Sequence, residues 1–296
     1  MTTITAPPSR PVDSPEVPPA ARIEPPASPV ARTKEWVSDV AVLTYRNLVH
    51  VRREPAQLSD ATIQPVLFTL LFVYIFGSAM AIAGGGSYKM FAIGGLVTMN
   101  LTTASMGTAV GMSSDVATGM MNRFRTLPMS RSAILAGRTI SDLFAAALCG
   151  TIVLLTGLVI GWRPDHGFVG VVEGMAVALL FAYALSWFTA CLGLLVGDPE
   201  SAQGIGLVIL FPLAFLSTCF VPAAGLPTFP RIIAEWNPVS AVAGSCRELF
   251  GNPNPASLSG VWPAQHPVLM AVGSSLVILA ICVPLASRLL RKATTD

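Results

Sequence analysis

Six stretches of this chain contain no Asp, Glu, Lys or Arg: residues 61–88, 90–114, 143–162, 174–197, 201–230 and 249–287. An α-helix rises about 1.5 Å per residue, so about 20 apolar residues cross a hydrocarbon core of roughly 30 Å. All six windows reach that length, and they predict transmembrane helices near 63–83, 91–112, 143–161, 171–196, 204–221 and 268–287. A soluble bundle of six wholly apolar helices would need far more amphipathic covering sequence than the connecting segments supply. Composition agrees: 11% of residues are charged, against roughly 25% in soluble domains.

The positive charges give the orientation. Seven precede the first span (Arg10, Arg22, Arg32, Lys34, Arg46, Arg52, Arg53), four lie between spans two and three (Arg123, Arg125, Arg131, Arg138), and three end the chain (Arg288, Arg291, Lys292). The opposite face holds Lys89, Arg163, Arg231 and Arg247. A split of 14 against 4 predicts cytoplasmic N- and C-termini, in keeping with an even number of spans.

Residues 1–33 contain nine of the 24 prolines and almost no large apolar side chain. They read as a disordered cytoplasmic tail, with no apolar core of a signal peptide. Residues 34–54 read as an amphipathic interface helix. At 100° per residue, Val37, Val40, Ala41, Thr44, Leu48 and Val51 fall on one arc, opposite Glu35, Asp39, Arg46, His50 and Arg53. Trp36 and Tyr45 suit the headgroup zone, and Pro55 ends the helix. Such a helix either touches a cytoplasmic partner or simply anchors the chain to lipid.

Between spans two and three, Asp115 can cap a helix start, after which Val116, Met120, Phe124 and Leu127 recur at helical spacing until Pro128. A short apolar face beside Arg123 and Arg125 suits a groove on another protein or the lipid headgroups. The turn GDPESAQ (197–203) carries Asp198 and Glu200, read as solvated charges. The long external loop, 222–267, reads as a lid or partly re-entrant element, with a short amphipathic helix over 239–250 whose Arg247 and Glu248 face water. Trp236-Asn237-Pro238 reads as its cap.

Several chemistries are missing. A net charge of +2 gives no nucleic-acid surface. The five cysteines are odd in number and widely spaced, so they read as small hydrophobes. None of the three lysines completes a phosphate-binding loop, and the three histidines lie in separate segments. No catalytic, cofactor or metal site is expected in this chain. The windows hold no ionisable carboxylate or amine for a proton relay. If the protein moves a solute, its energy comes from another subunit. Gly107/Gly111, Gly157/Gly161 and Gly193/Gly197 permit close helix packing, within the chain or between copies.

Taken in order, EPAQLSDATIQPVLFTLLFVYIFG (54–77), MMNRFRTLPMSR (120–131), LFPLAFLSTCFVP (210–222) and LPTFPRIIAEWNPVSAV (226–242) resemble the membrane subunit of type-2 ABC exporters, most closely the daunorubicin-resistance permease group. The resemblance covers roughly residues 36–293; Asn122 stands where members often carry an acidic residue. It implies an all-α transmembrane domain over 55–293, a short tail at 294–296, and a non-catalytic permease in a bacterial plasma membrane. It also implies a partner ABC ATP-binding subunit, which holds the ATP and magnesium, and a second permease copy, identical or related, packed through helices one and five.

In such proteins a cytoplasmic coupling helix sits in a cleft of the ATPase. Carried over, that helix is Gly119, Met120, Met121, Asn122, Arg123, Phe124, Arg125, Thr126, Leu127 and Pro128. The interface helix contributes Trp36, Arg46, His50, Arg52 and Arg53, and Phe68, Phe72, Tyr74, Phe211 and Phe215 are candidates to line the pathway. An amphipathic drug, antibiotic or lipid is the expected cargo, with polysaccharide or glycolipid export as the alternative within the class. A membrane-embedded enzyme or a passive channel is the alternative outside it.

Overall fold

The computed structural model describes residues 29–53, 55–78, 87–120 and 131–293, and among these every regular element is helical. The elements are α1 (Pro29–Arg53), α2 (Pro55–Gly77), α3 (Tyr88–Ala104), α4 (Met106–Ala117), α5 (Arg131–Val159), α6 (Gly167–Val196) and α7 (Pro199–Phe215), followed by α8 (Thr228–Trp236), α9 (Pro238–Phe250), α10 (Trp262–Gln265) and α11 (Pro267–Ala293). Among the described residues three helical stretches are long and apolar enough to cross a bilayer: Ala133–Val159, Gly167–Val196 and Pro267–Arg291. Thr62–Gly77 and Pro199–Phe215 are apolar but shorter.

Helix α6 is the hub and packs on α3, α4, α5, α9 and α11. Apart from Glu173 its 30 residues carry no charge, and its apolar side chains lie on every side, which suits a helix partly packed by neighbours and partly facing lipid. Gly193 brings α4 against it, since a Cβ there would overlap the Ala109 carbonyl. Gly197, at φ 71, takes the left-handed conformation that ends the helix, and its N–H reaches the Gly193 carbonyl. Gly157 and Gly111 likewise sit against Ile93 and Arg138, so at least one glycine of each pair packs within the chain, while Gly107 has open space around it.

Two apolar clusters divide the bundle lengthwise. One joins Val40 and Leu43 of α1 to Met112, Leu135, Trp187 and Leu290; we call this the near end. The other joins Phe91, Leu96, Trp162, Phe181 and Phe250 and fills the far end. Among the described cations, Lys34, Arg46, Arg138, Arg288 and Arg291 belong to near-end segments, while Lys89, Arg163, Arg231 and Arg247 belong to far-end ones.

The structure departs from the sequence expectations at several helix boundaries: α2 and α5 begin ahead of the 63–83 and 143–161 helices, at Pro55 and Arg131, and three further departures have a local cause. First, the helix expected over 91–112 is divided at Ser105. Side chains there compete for helix carbonyls: Asn100 Nδ2 donates to Leu96 O at 2.8 Å, Thr102 Oγ1 to Thr98 O at 2.8 Å and Ser105 Oγ to Thr102 O at 2.6 Å. Thr189 Oγ1 of α6 lies 2.8 Å from the Ser105 carbonyl, and such inserted hydroxyls interrupt a helical ladder. Second, Asp115 starts no helix. It lies inside α4, which runs on to Ala117 and ends in the turn Thr118–Gly119, where Gly119 has φ 68. Third, α7 begins and stops earlier than 204–221. Asp198 caps its start by accepting the Ser201 N–H at 2.8 Å, with Pro199 at the first helical position, and the helix leaves regular geometry after Phe215.

Candidate functional site

At the near end, α1 lies across the start of α5. Thr44 Oγ1 donates to the Gly137 carbonyl at 3.2 Å, and a Cβ at Gly137 would press on Leu43 Cβ, so that glycine permits the crossing. The buried face is Val40, Leu43, Thr44 and Asn47; Val37 is 54% exposed and Tyr45 71%. The wheel's apolar arc is thus divided, one edge against α5 and the other open. Trp36, half-buried, packs on the near-end cluster together with Val116 and Met120. Arg46 reaches from α1 to Met120, with Nη1 3.7 Å from Sδ, and its Nη2 donates to Asn47 Oδ1 at 3.2 Å. His50, Arg52 and Arg53 continue α1, though their side chains lie outside the described residues, as do residues 121–128 of the expected coupling helix.

The two legs of that segment are fastened together above it. Asp142 of α5 accepts Thr108 Oγ1 of α4 at 2.6 Å and Arg138 Nε at 3.3 Å, while Arg138 Nη2 donates to the Gly107 carbonyl at 3.0 Å. Beside them the 197–203 turn caps α7 with Asp198, whose carboxyl the Ser201 N–H and hydroxyl hold below its ordinary value. Among the described residues no group of three His, Cys, Asp or Glu side chains converges to hold a metal.

Toward the far end the candidate pathway aromatics from α2 and α7 meet through a residue outside the expected set. Phe72 is buried and stacks on Phe220 at 4.2 Å between centroids; Phe215 stacks on Phe211 at 4.1 Å and tilts against Phe220 at 5.6 Å. Phe68 stacks on Phe72 at 6.0 Å, and Tyr74 points away, 68% exposed. Phe220 belongs to the irregular stretch 216–222, where carbonyls of the stretch and of the last turn of α7 are satisfied by distant side chains. Asn237 Nδ2 donates to Leu213 O and Leu216 O at 2.7 and 2.9 Å, and Tyr88 Oη donates to Phe220 O at 3.1 Å. Irregular backbone among apolar helices demands such partners, because lipid offers none.

Arg247 corrects the sequence reading. It does not face water: it is 0% exposed, donating Nε to Phe91 O at 2.9 Å and Nη2 to Thr218 O and Cys219 O at 2.7 and 3.1 Å. The guanidinium lies 3.7 Å from the Phe91 ring centroid. Desolvation pulls it down to about 10, partly opposed by the Cys219, Cys246 and Tyr88 side chains, which leaves it charged at neutral pH. Only Glu248 of the expected pair is exposed. The Asn237 cap behaves as expected, accepting the Val239 N–H at 2.8 Å with Pro238 first in α9. A second tie joins Trp162 Nε1 to Asn252 Oδ1 at 2.6 Å, fixing the loop before α6 to the end of α9. The one cation in a helix of small and apolar residues was the available signal for Arg247; Phe220 carried none.

Comparison with known proteins converges on one family. Residues 38–250 match the model of the ABC-2 type transporter. The chain is 33% identical, over 86% of its length and 87% of the relative's, to the daunorubicin resistance ABC transporter permease protein DrrB1 of Streptomyces coeruleorubidus. It is 24% identical to the probable doxorubicin resistance ABC transporter permease protein DrrC of Mycobacterium tuberculosis, covering 80% of this chain and 87% of that one. A putative transport permease, ycf38 of Porphyra purpurea, is 23% identical over 76% and 78% of the two chains. With its apolar helices, its matched length and these relatives, the chain belongs to the ABC-2 type transporter family and is one of its membrane permeases.

Proposed function

We propose that this permease is the membrane subunit of an ATP-driven exporter of amphipathic drugs, antibiotics or lipids. It crosses the membrane six times, with both termini cytoplasmic and the near end inward. A separate subunit binds ATP with magnesium and docks against α1 and the segment from Gly119 to Pro128. A second permease copy packs against α2 and α7, and cargo passes between the copies along Phe68, Phe72, Tyr74, Phe211 and Phe215. Relatives named for daunorubicin and doxorubicin resistance support an amphipathic aromatic cargo, as does an aromatic surface that favours apolar solutes by desolvation.

The observation that carries the coupling role is the junction of Arg46 with Met120, which ties the interface helix to the first turn of the expected coupling segment. Val116, Met120 and Trp36 pack on the same cluster, so a force on that segment reaches α1, α5 and α6 together. The test is reconstitution with a candidate ABC ATP-binding subunit. Wild type pumps a fluorescent anthracycline and its cargo stimulates hydrolysis; the M120E/F124E double variant loses both. Absence of any stable ATPase complex, or unchanged transport in the variant, would overturn the reading.

A further inference from the structure

The least expected charge in the molecule is Arg247, and its surroundings are built to receive it. Gly94 of α3 leaves room for its stem, since a Cβ there would come within 2.9 Å of Arg247 Cγ. A Cβ on the adjacent Gly95 would overlap the Cys219 carbonyl. Two consecutive glycines thus let α3 accept both the arginine and the irregular stretch that it grips. Through Thr218 O and Cys219 O the guanidinium fixes the two residues that immediately precede Phe220. Phe220 in turn is the ring inserted between Phe72 of α2 and Phe215 of α7.

We propose that Arg247 is the positioning residue of a far-end gate: it holds 218–220 so that Phe220 closes the gap between α2 and α7, and cargo leaves when that grip is released. The inference rests on the exporter reading above, and it assigns the outward barrier to one ring and one cation. Every partner of the guanidinium is a carbonyl or a ring, so release separates no ion pair, and the freed charge is taken up by water that enters from the far end. No proton moves and no carboxylate is left unpaired when these contacts part. Nη1 already lacks a partner, so the grip is carried by Nε and Nη2 alone.

The native cysteines supply the readout. All five are buried, and Cys219 is 0% exposed within the gripped stretch. In proteoliposomes of the complete complex, a membrane-impermeant maleimide applied to the far-end side, followed by peptide mapping, reports on Cys219 directly. Resting wild type labels slowly, and turnover with ATP and cargo accelerates labelling. In R247M, resting labelling rises about tenfold, a shift of ~1.4 kcal/mol in the opening equilibrium, and preloaded anthracycline leaks without ATP. R247K, whose ammonium can reach the same carbonyls as a point donor, restores part of the barrier. F220A keeps the arginine's bonds but removes the ring, so it leaks as R247M does and serves where R247M does not fold.

Resting labelling and leak that match wild type in F220A would overturn the gate, as would R247M losing transport with Cys219 still protected. A wild-type complex that neither pumps nor hydrolyses ATP in response to cargo would instead overturn the exporter reading beneath it.

Discussion

The cluster that joins Thr108, Arg138 and Asp142 allows a quantitative test, because α4 precedes the proposed coupling segment in the chain and α5 follows it. The two ionic side chains are only 24% and 17% exposed, and the Thr108–Asp142 bond is short, at 2.6 Å. A hydrogen bond to a charged group contributes about 1.5–3 kcal/mol. The Arg138 contact, at 3.3 Å and one turn away on the same helix, adds ~0.3–0.5 kcal/mol. Thr108→Val is therefore expected to cost about 2 kcal/mol, and Asp142→Ala about 2.5 kcal/mol, including the partly stranded Arg138. The double variant should cost little more than Asp142→Ala, leaving a coupling energy of about 1.5–2 kcal/mol.

Denaturation by SDS in mixed micelles, followed by tryptophan fluorescence and far-ultraviolet circular dichroism, measures all four corners of this cycle. Additive effects, with coupling below ~0.5 kcal/mol, would refute the pairing. If the cluster also holds the legs of the segment as one lever, the Asp142→Ala complex hydrolyses ATP without exporting cargo. Parallel loss of both activities would refute the lever and leave only a stabilising bond.

Three further outcomes test the packing and the caps. Gly193→Ala, which drives a Cβ into the Ala109 carbonyl, should destabilise by about 1–3 kcal/mol. Gly273→Ala, with open space around it, should be neutral or stabilising by up to ~1 kcal/mol; equal melting temperatures for the pair would contradict the close approach of α4 and α6. Trp162→Phe strands the buried Asn252 Oδ1 and should cost about 1–3 kcal/mol, checked by the same denaturation. The Asp198 carboxyl sits below its ordinary value of 3.8, so its cap stabilises fully above that value and is lost as pH falls through the lower folded one. Asp198→Asn caps without titrating, so the fall in melting temperature on acidification below about pH 4 should narrow; an unchanged fall would remove Asp198 from the acid response.

What was legible in the sequence depended on whether a feature is local or shared between distant segments. The body of α6 was readable because a charge-free run of that length has few other fates, and Asn237-Pro238 because a cap is written in two adjacent residues. The division at Ser105 was present as the run Asn100, Thr102, Thr103 and Ser105, yet hydropathy counts these as ordinary window residues. Only Thr189, 84 positions away, makes the interruption intelligible. The inner face of α1 was half legible: Val40 and Thr44 pack as the wheel predicts, but Leu43 and Asn47 join them because α5 approaches from one side at Gly137.

Arg247 shows why a wheel fails in such a protein. Periodicity assumes that a cation seeks water, whereas within a bundle a cation can be satisfied by backbone carbonyls, here two from the irregular stretch 29 and 28 positions away and one from helix α3, 156 positions away. The same fact strengthens the argument about energy. A proton-driven carrier needs a group that gains and loses a proton during the cycle, and a guanidinium near 10 held by carbonyl dipoles and an aromatic face does neither at neutral pH. The buried charge that charge counting placed in water therefore belongs to the scaffold rather than to a relay, which fits the proposal that the work of opening the far end enters at the near one.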